Sequence, residues 1–381
     1  MRTMKGIIGN VFMHLFSILP LQNKVVICSF DGKTCDDNPR EIYKVFLSKH
    51  PELKYVWLQR DPNIIIDGAT VASLFSLSAL YHLSTAKLWI DNSRKREWVV
   101  KRKKQYYVQT WHGDVCIKKI EADAAEELGS EYIKAAKHDS KMADLMLSGS
   151  KFRTNNYRNA FWYDGKILEY GTPKAEVFYR DPKPITINVK KRLGVPEDAK
   201  LALYCPTFRS NNTLDVYNVD YERLLEALNL RWPGQWYVAV RLHPKIRTLQ
   251  NQIQYTERIL NGSTIPFTNE LIIASDLIIS DYSGCLFAGL EAKKRVLIYA
   301  PDIDEYIRSE RGLYFDFMSL PFPLAKNNDE LNDNITCFDD MKYSTQAREL
   351  YERIGYMTTA DTTERIVDYI YSESIGKDRN R

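Results

Sequence analysis

The residues with the most chemical promise in this 381-residue chain lie between positions 109 and 119, QTWHGDVCIKK. A β-prone run of Tyr106, Tyr107, Val108 and Thr110 precedes them, and a segment rich in Ala and Glu follows. That order predicts strand, turn and helix, and in open α/β sheets ligands sit outside such strand ends. His112 would stand on the turn beside Gly113, which permits close backbone approach. Lys118 and Lys119 follow closely enough to face an anion held there. A histidine near its unperturbed pKa is the usual general base at neutral pH. The plain alternative is a histidine that only hydrogen-bonds backbone at a strand end. For a lone histidine that alternative wins, but Trp111, Gly113 and two lysines tip the balance toward a site.

The elements that must position this turn follow from hydrophobic periodicity. Buried strands are expected at 24–30, 54–59, 87–91, 106–110, 145–148 and 166–170. Helices are expected at 40–51, 69–83, 122–143 and 151–160. A polar, Pro-rich break at 181–184 marks a linker. The alternation then restarts, with strands at 200–204, 236–242, 277–280 and 296–299 and a helical end at 345–374. Strands alternating with helices imply parallel sheets covered on both faces. The division expected is an N-terminal domain over 1–182, a C-terminal domain over 183–344, and a helical segment, 345–381, returning to the first domain.

Composition bounds the rest. With 44% hydrophobic and 27% charged residues, the chain is neither disordered nor a multi-span membrane protein. Net charge is only +4. Arg94, Lys95, Arg96, Lys101, Arg102, Lys103 and Lys104 nevertheless cluster before the His112 strand, a patch that suits anionic headgroups, a polyphosphate or nucleic acid, or is simply a solvated loop. Six scattered cysteines form neither a disulfide framework nor a zinc site, which fits a reducing cytoplasm. The apolar run 7–21 is too short to span a bilayer. It reads equally as an interfacial amphipathic helix and as a first helix packed on the core.

Four strand ends carry a recognisable ordered set: QTWHG, YCPTFR, VRLHP and ISDYSG, followed by Asp302, Tyr306 and RGLYFD from Arg311. Together they resemble the CDP-glycerol glycerophosphotransferase family, the polyol-phosphate transferases and polymerases of teichoic acids and some capsules. The resemblance implies two Rossmann-like domains facing across a cleft, the GT-B type. It implies His112 as base and His243 beside a diphosphate. Arg209 becomes a phosphate ligand, and Ser280, Asp281, Tyr282 and Ser283 the nucleotide end, with Lys118, Lys119 and Arg311 as further phosphate or acceptor contacts. It also implies a CDP-glycerol or CDP-ribitol donor, a lipid-linked saccharide or polyol-phosphate acceptor, and a peripheral place on the cytoplasmic face of the membrane. No nucleic acid, cofactor or metal is implied, and no acidic DxD-type cluster stands beside the motifs. The chain departs from the family pattern at Asp114, Gly284, Ala288 and Arg295; Glu291, nearly one helical turn beyond Ala288, is the candidate to stand in for the missing acid.

The chemistry fits those residue types. Phosphoryl transfer is mostly positioning and charge neutralisation. Arginine offers a bidentate fork, a turn before a helix offers free N–H groups, and a histidine before proline is held extended. The plain alternatives are a surface ion pair for Arg209, a helix cap for Ser283 and a core position for Tyr282.

Overall fold

The computed structural model describes residues 4–209, 217–243, 246, 251–309 and 312–376. The chain divides into two compact units. Unit 1 comprises Met1–Asp114, Ile120–Glu176 and Met357–Arg381, and unit 2 comprises Val115–Lys119 and Val177–Tyr356.

Unit 1 is built on β1 (Gln22–Cys28), β2 (Lys54–Gln59), β3 (Thr70–Ser73), β4 (Ala86–Asp91), β5 (Tyr106–Gln109), β6 (Leu145–Leu147) and β7 (Lys166–Leu168). They form one sheet in the order β3-β2-β1-β4-β5-β6-β7, and every pairing is parallel. The helices are α1 (Met4–Phe16), α2 (Asp37–Lys49), α3 (Leu77–Thr85), α4 (Ser130–Met142) and α5 (Lys151–Ala160). The near-continuous apolar strands follow from burial on both faces. Val26, Trp89 and Tyr107 face one layer of core, Ile27, Trp57 and Val108 the other.

Unit 2 repeats the plan. After α6 (Lys183–Leu193) come β8 (Lys200–Tyr204), α7 (Tyr221–Arg231), β9 (Trp236–Val240), β10 (Ile259–Asn261), α8 (Thr268–Ala274) and β11 (Leu277–Ser280). Then follow α9 (Cys285–Glu291), β12 (Arg295–Tyr299), α10 (Ile303–Ser309), β13 (Leu324–Ala325), α11 (Asn328–Thr336) and α12 (Asp340–Ile354). The order β10-β9-β8-β11-β12-β13 is again wholly parallel. Each sheet therefore reverses direction beside its first strand, the arrangement that leaves a crevice at the carboxyl ends.

Several expectations change. The helix expected at 69–83 is a short edge strand, β3, followed by α3, whose start Ser76 caps through its side chain. The helix expected at 122–143 is a 3-10 turn, Glu121–Glu127, then α4, parted at Gly129. The Pro-rich stretch opens α6 rather than linking domains, because Pro near a helix start forfeits no backbone bond. The crossing into unit 2 falls earlier, at Val177. The helical end also divides: α12 belongs to unit 2, and only the segment from Met357, with α13 (Thr362–Ser374), belongs to unit 1. There Ile366, Val367 and Ile370 fill the same core as Ile42 and Phe46 of α2.

The basic cluster is not a free patch. Arg94 is buried and pairs with Glu121 at 2.8 Å and Asp139 at 3.1 Å, and Lys95 pairs with Asp91. Lys101 pairs with Asp144 at 2.8 Å, and Arg102 donates to the carbonyls of Leu19 and Ser84. Arg96, Lys103 and Lys104 remain exposed. Asp139 is a hub, also accepting from the Lys95 N–H, the Tyr107 hydroxyl and Gln109.

Helix α1 packs antiparallel to α3. Ser84 Oγ reaches the Met13 carbonyl, and the Phe16 ring meets Tyr81 edge-on at 5.8 Å. Gly9 lets α1 also lie close to Trp98, since a Cβ there would lie 2.8 Å from that ring. The opposite face leaves Met4, Ile7, Ile8, Val11 and Leu15 exposed, and Ile18 and Leu19 continue it.

The returning segment is stitched at Gly171, whose φ is +112°. The Thr172 N–H donates to Thr358 Oγ1, and Thr362 Oγ1 donates to the Tyr170 carbonyl. A Cβ on Gly171 would lie 2.6 Å from the Thr358 Cα. Gly171→Ala should therefore lower the denaturation midpoint, by at least the about 1–3 kcal/mol typical of one strained residue. An unchanged midpoint would refute this.

Candidate active site

In unit 1 the reversal lies between β1 and β4, and the polar residues just beyond them converge on the turn after β5. His112 Nδ1 donates to the Asn92 carbonyl at 3.0 Å. That bond fixes the tautomer with the proton on Nδ1, so Nε2 carries the free lone pair. Asn92 is fully buried, and its side-chain oxygen accepts from the Phe30 N–H at 2.7 Å. Trp111 stacks on the imidazole at 4.5 Å between centroids, and Phe30 lies at 5.6 Å.

The loops around the ring are strained. Phe30, Asp31, Asp37 and Trp111 all have positive φ, between 47° and 66°. Non-glycine residues hold such angles only where the surroundings over-determine them. At Trp111 the restraint is Asn38, whose amide donates to the carbonyls of Thr110 and Trp111 and whose oxygen accepts from the Lys174 N–H. Lys174 Nζ bridges the Asp37 carboxylate at 2.5 Å and the His112 carbonyl at 2.6 Å.

Although the His112 residue is exposed at the surface, its pKa lies below the ordinary 6.5. Desolvation by the dense surround is the main cause. The Asn92 bond and Asp37 oppose it, while Lys174 and Arg153 add to it. The imidazole is thus kept neutral. Asp114 is a weaker candidate base. Its Oδ1 accepts from the Gly149 N–H at 3.1 Å and its carbonyl from Arg153 Nε at 2.7 Å. Burial raises its pKa, with Arg153 opposing, and Oδ2 has no hydrogen-bond partner.

In unit 2 the reversal lies between β8 and β11, which brings CPTFR beside SDYSG. Ser280 Oγ donates to the Cys205 carbonyl at 2.6 Å. The Asp281 carboxylate accepts from the Thr207 N–H at 2.9 Å and pairs with Arg209 at 2.9 Å. Arg209 also forks onto Asp302 at 2.6 and 3.1 Å, and lies over the Tyr282 ring at 4.6 Å. Tyr282 donates to Asp302 and stacks on Tyr306 at 3.3 Å.

These contacts show where the residues read from sequence sit. Arg209 is buried and shared between two carboxylates, so it orders three loops before it can meet any phosphate. Ser280, Asp281 and Tyr282 are buried and internally bonded, which leaves Ser283, partly exposed, and Gly284, exposed, at the surface of the turn. His243 is exposed just past β9, its ring 6.2 Å from that of Phe208; Pro244 lies outside the described residues. Lys118 and Lys119 do not accompany His112 in unit 1. They belong to unit 2, where Lys118 bridges Leu313, Lys119 N–H donates to the Gly312 carbonyl, and Lys118 Nζ lies 4.7 Å over the Tyr306 ring. Arg311 is outside the described residues. Glu291 is buried and accepts from the Tyr179 hydroxyl, so it does not replace a surface acid at Ala288. Arg295 pairs with Asp340 on the edge of β12. Among the described residues no group of three or more His, Cys, Asp or Glu is placed to hold a metal.

A sequence model of the family described as CDP-Glycerol:Poly(glycerophosphate) glycerophosphotransferase matches residues 11–372. The chain belongs to that family. It is 28% identical over 376 residues to a teichoic acid poly(glycerol phosphate) polymerase of Bacillus spizizenii, covering 95% of each chain. It is also 28% identical to a teichoic acid glycerol-phosphate transferase of Staphylococcus aureus, covering 94% of this chain and 95% of that one. The solved structure of the wall teichoic acid polymerase TagF, soaked with CDPG, matches with a TM-score of 0.84 at 24% identity, over 96% of this chain and 93% of the other. That likeness shows the fold, which is of the GT-B type. Asn38, Asn92 and Lys174, which the sequence reading passed over, are the supports of its strained histidine turn.

Arg209→Ala would leave the buried Asp281 and the half-buried Asp302 without their cation. Removing one partner of a buried pair costs about 3–5 kcal/mol. The variant should therefore unfold at markedly lower denaturant, whether or not a nucleotide is present. A variant of normal stability that merely binds donor less well would restore Arg209 to a plain phosphate contact.

Proposed function

We propose that this enzyme transfers glycerol phosphate from CDP-glycerol to a hydroxyl of a polyol-phosphate or lipid-linked acceptor, releasing CMP, in the synthesis of a teichoic-acid-type polymer. What carries the reading is the family match across residues 11–372 together with a neutral histidine whose Nε2 is free. An acceptor hydroxyl is a poor nucleophile until its proton leaves. The Nε2 lone pair of His112 takes that proton as the hydroxyl oxygen attacks the phosphorus bearing the glycerol. The bond from that phosphorus to the bridging oxygen breaks, and CMP leaves. In unit 2 the crevice between β8 and β11 takes the cytidine diphosphate. Ser283 and the backbone of Gly284 meet it from one side and His243 from another. His243 as imidazolium stabilises charge on the departing phosphate. Arg209, held by Asp281 and Asp302, fixes the turn that receives the donor.

Ribitol remains a second reading. A teichoic acid ribitol-phosphate primase of Bacillus spizizenii is likewise 28% identical, over 386 residues. Incubation with CDP-glycerol, CDP-ribitol and UDP-sugars, following CMP and UDP, separates these readings. CMP from CDP-glycerol is expected to be fastest. Release of UDP alone would overturn the proposal.

His112→Ala should lose about 10²–10⁴-fold in turnover with donor affinity kept, whereas His243→Ala should lose both. A base works unprotonated, and His112 is held below 6.5. The acid limb of kcat/KM should therefore lie below that value, with activity rising as pH rises through it. An acid limb above 6.5 would exclude His112 as the titrating base.

The membrane is the second part of the proposal. No described helix is long and apolar enough to cross a bilayer. The exposed stripe of Ile7, Ile8, Val11 and Leu15 suits burial of α1 in a membrane interface. Since Arg94, Lys95 and Lys101 are occupied by acids, vesicle binding should depend on this apolar face more than on salt. Val11→Glu should abolish flotation with anionic vesicles. Retained flotation in that variant, lost instead in high salt, would return the role to the remaining basic residues.

A further inference from the structure

At the end of the unit 1 sheet opposite His112, the amino ends of β1, β2 and β3 open into a pocket of about 540 Å³. Gln22, Lys24, Lys54, Tyr81 and His82 are among its lining, and no Asp or Glu is, among the described residues. Lys24 and Lys54 are direct partners in the parallel register of β1 and β2, so their side chains leave the same face of the sheet. Tyr81 and His82 come to that face from α3.

Lys24 is the anomaly. A lysine is almost never fully buried unless it is paired, yet Lys24 is 1% exposed and no carboxylate pairs with it among the described residues. Its Nζ donates to Thr85 Oγ1 at 2.7 Å and to His82 Nδ1 at 3.2 Å, and lies 4.6 Å over the Tyr81 ring. All three partners are neutral at pH 7, since His82 is lowered to about 4 by burial and then by Lys24. The third Nζ proton has no acceptor among the described residues. The Tyr81 hydroxyl accepts from Gln22 Nε2 at 3.1 Å, and its own proton is likewise unanswered there. Lys54 deepens the deficit of negative charge. The Lys24 ammonium is lowered to about 8, by burial first and by Lys54 second.

We propose that this pocket binds a phosphomonoester, its dianion set against Lys24 and Lys54 with the Tyr81 hydroxyl as a further donor. A phosphomonoester carries about −1.5 to −2 at pH 7, which answers two lysines, whereas a carboxylate answers one. The pocket, about 540 Å³, is of the size that holds a small organic molecule rather than a bare ion. It is distinct from the histidine turn. The strands run parallel, so the pocket lies where they begin and His112 lies past the end of β5. The same phosphate group is offered by a soluble polyol phosphate and by a lipid headgroup. Helix α1 reaches the pocket wall, since Phe16 meets the Tyr81 ring. The proposal is independent of the donor and base assignments.

Calorimetric titration of the full-length protein at constant ionic strength tests this. The probes are glycerol 3-phosphate, inorganic phosphate, and dihexanoylphosphatidate below its micelle concentration. Saturable binding is expected, weakened at least about tenfold in Lys54→Gln, as loss of a charge-assisted bond implies, and abolished in Lys24→Met. Lys54 is exposed, so Lys54→Gln decides the matter even if Lys24→Met fails to fold. Binding of the soluble probes that the variants lose assigns a soluble occupant. Such binding confined to dihexanoylphosphatidate assigns a lipid headgroup. Affinity should also fall as pH rises through about 8, where Lys24 gives up its proton; Lys54, Tyr81 and His82 are the other ionisable groups facing it. An affinity unmoved across that pH would overturn the role of Lys24. Binding equal in the wild type and both variants would belong to another site, such as the unit 2 crevice, and would overturn the proposal. So would binding of none of the probes, or acetate held as tightly as glycerol 3-phosphate.

Discussion

In a wholly parallel sheet every strand ends on the same edge, and only where the winding reverses do two neighbouring loops part to leave room for a ligand. That constraint acts twice in this chain, and most of its unusual chemistry sits at those two places. Beside β1 and β4 stand the strained Phe30 and Asp31, the buried Asn92 and the histidine it holds. Beside β8 and β11 stands Arg209 with its two carboxylates. The same winding order in the two sheets, reversing beside β1 in one and beside β8 in the other, gives each unit a crevice of its own.

The two crevices are stabilised by different physics. Around His112 the important groups are neutral amides. Asn38 and Asn92 hold backbone carbonyls of a turn that would otherwise relax, and one hydrogen bond to Nδ1 decides which nitrogen is basic. An amide suits this task because it orients without contributing a charge that would move the imidazole pKa far. Around Arg209 the groups are ions. Asp302 is pushed up by burial yet ends below the usual carboxylate range because Arg209 bonds to it; Asp281, more deeply buried, stays raised despite the same partner. Shared between two carboxylates, the guanidinium acts here as the ordering element of three loops rather than as a free positive charge.

Much of this was legible in sequence, and what was not has physical reasons. The buried strands declare themselves by continuous apolar runs, as in KVVIC and LIIS, and α5 and β11 fall where expected. The edge strands β3 and β10 were missed because TVAS and ILN bury one face at most and carry too few residues for a period. The histidine turn was visible through WHG, but Asn38, Asn92 and Lys174 were not, since single polar residues far apart in sequence have no pattern until the fold gathers them. The cluster from Arg94 to Lys104 misled for the converse reason. A run of like charges looks like a patch, yet Glu121, Asp139 and Asp144, contributed by later segments, pair with Arg94 and Lys101 and leave only Arg96, Lys103 and Lys104 exposed.

That correction changes what is asked of α1. α1 seats Met13 in the unit 1 core with Phe12 and Phe16 packed beside it, and exposes a second apolar stripe of isoleucine, valine and leucine where a soluble surface helix would be polar. Gly9 adds to this seat by letting the backbone settle against Trp98, and Asn10 adds a bond to the Trp98 carbonyl. A large residue at position 9 would lift the helix from its seat without making it any less apolar. Attachment to the protein and affinity for a lipid surface are thus carried by opposite faces of α1, and substitutions can separate them.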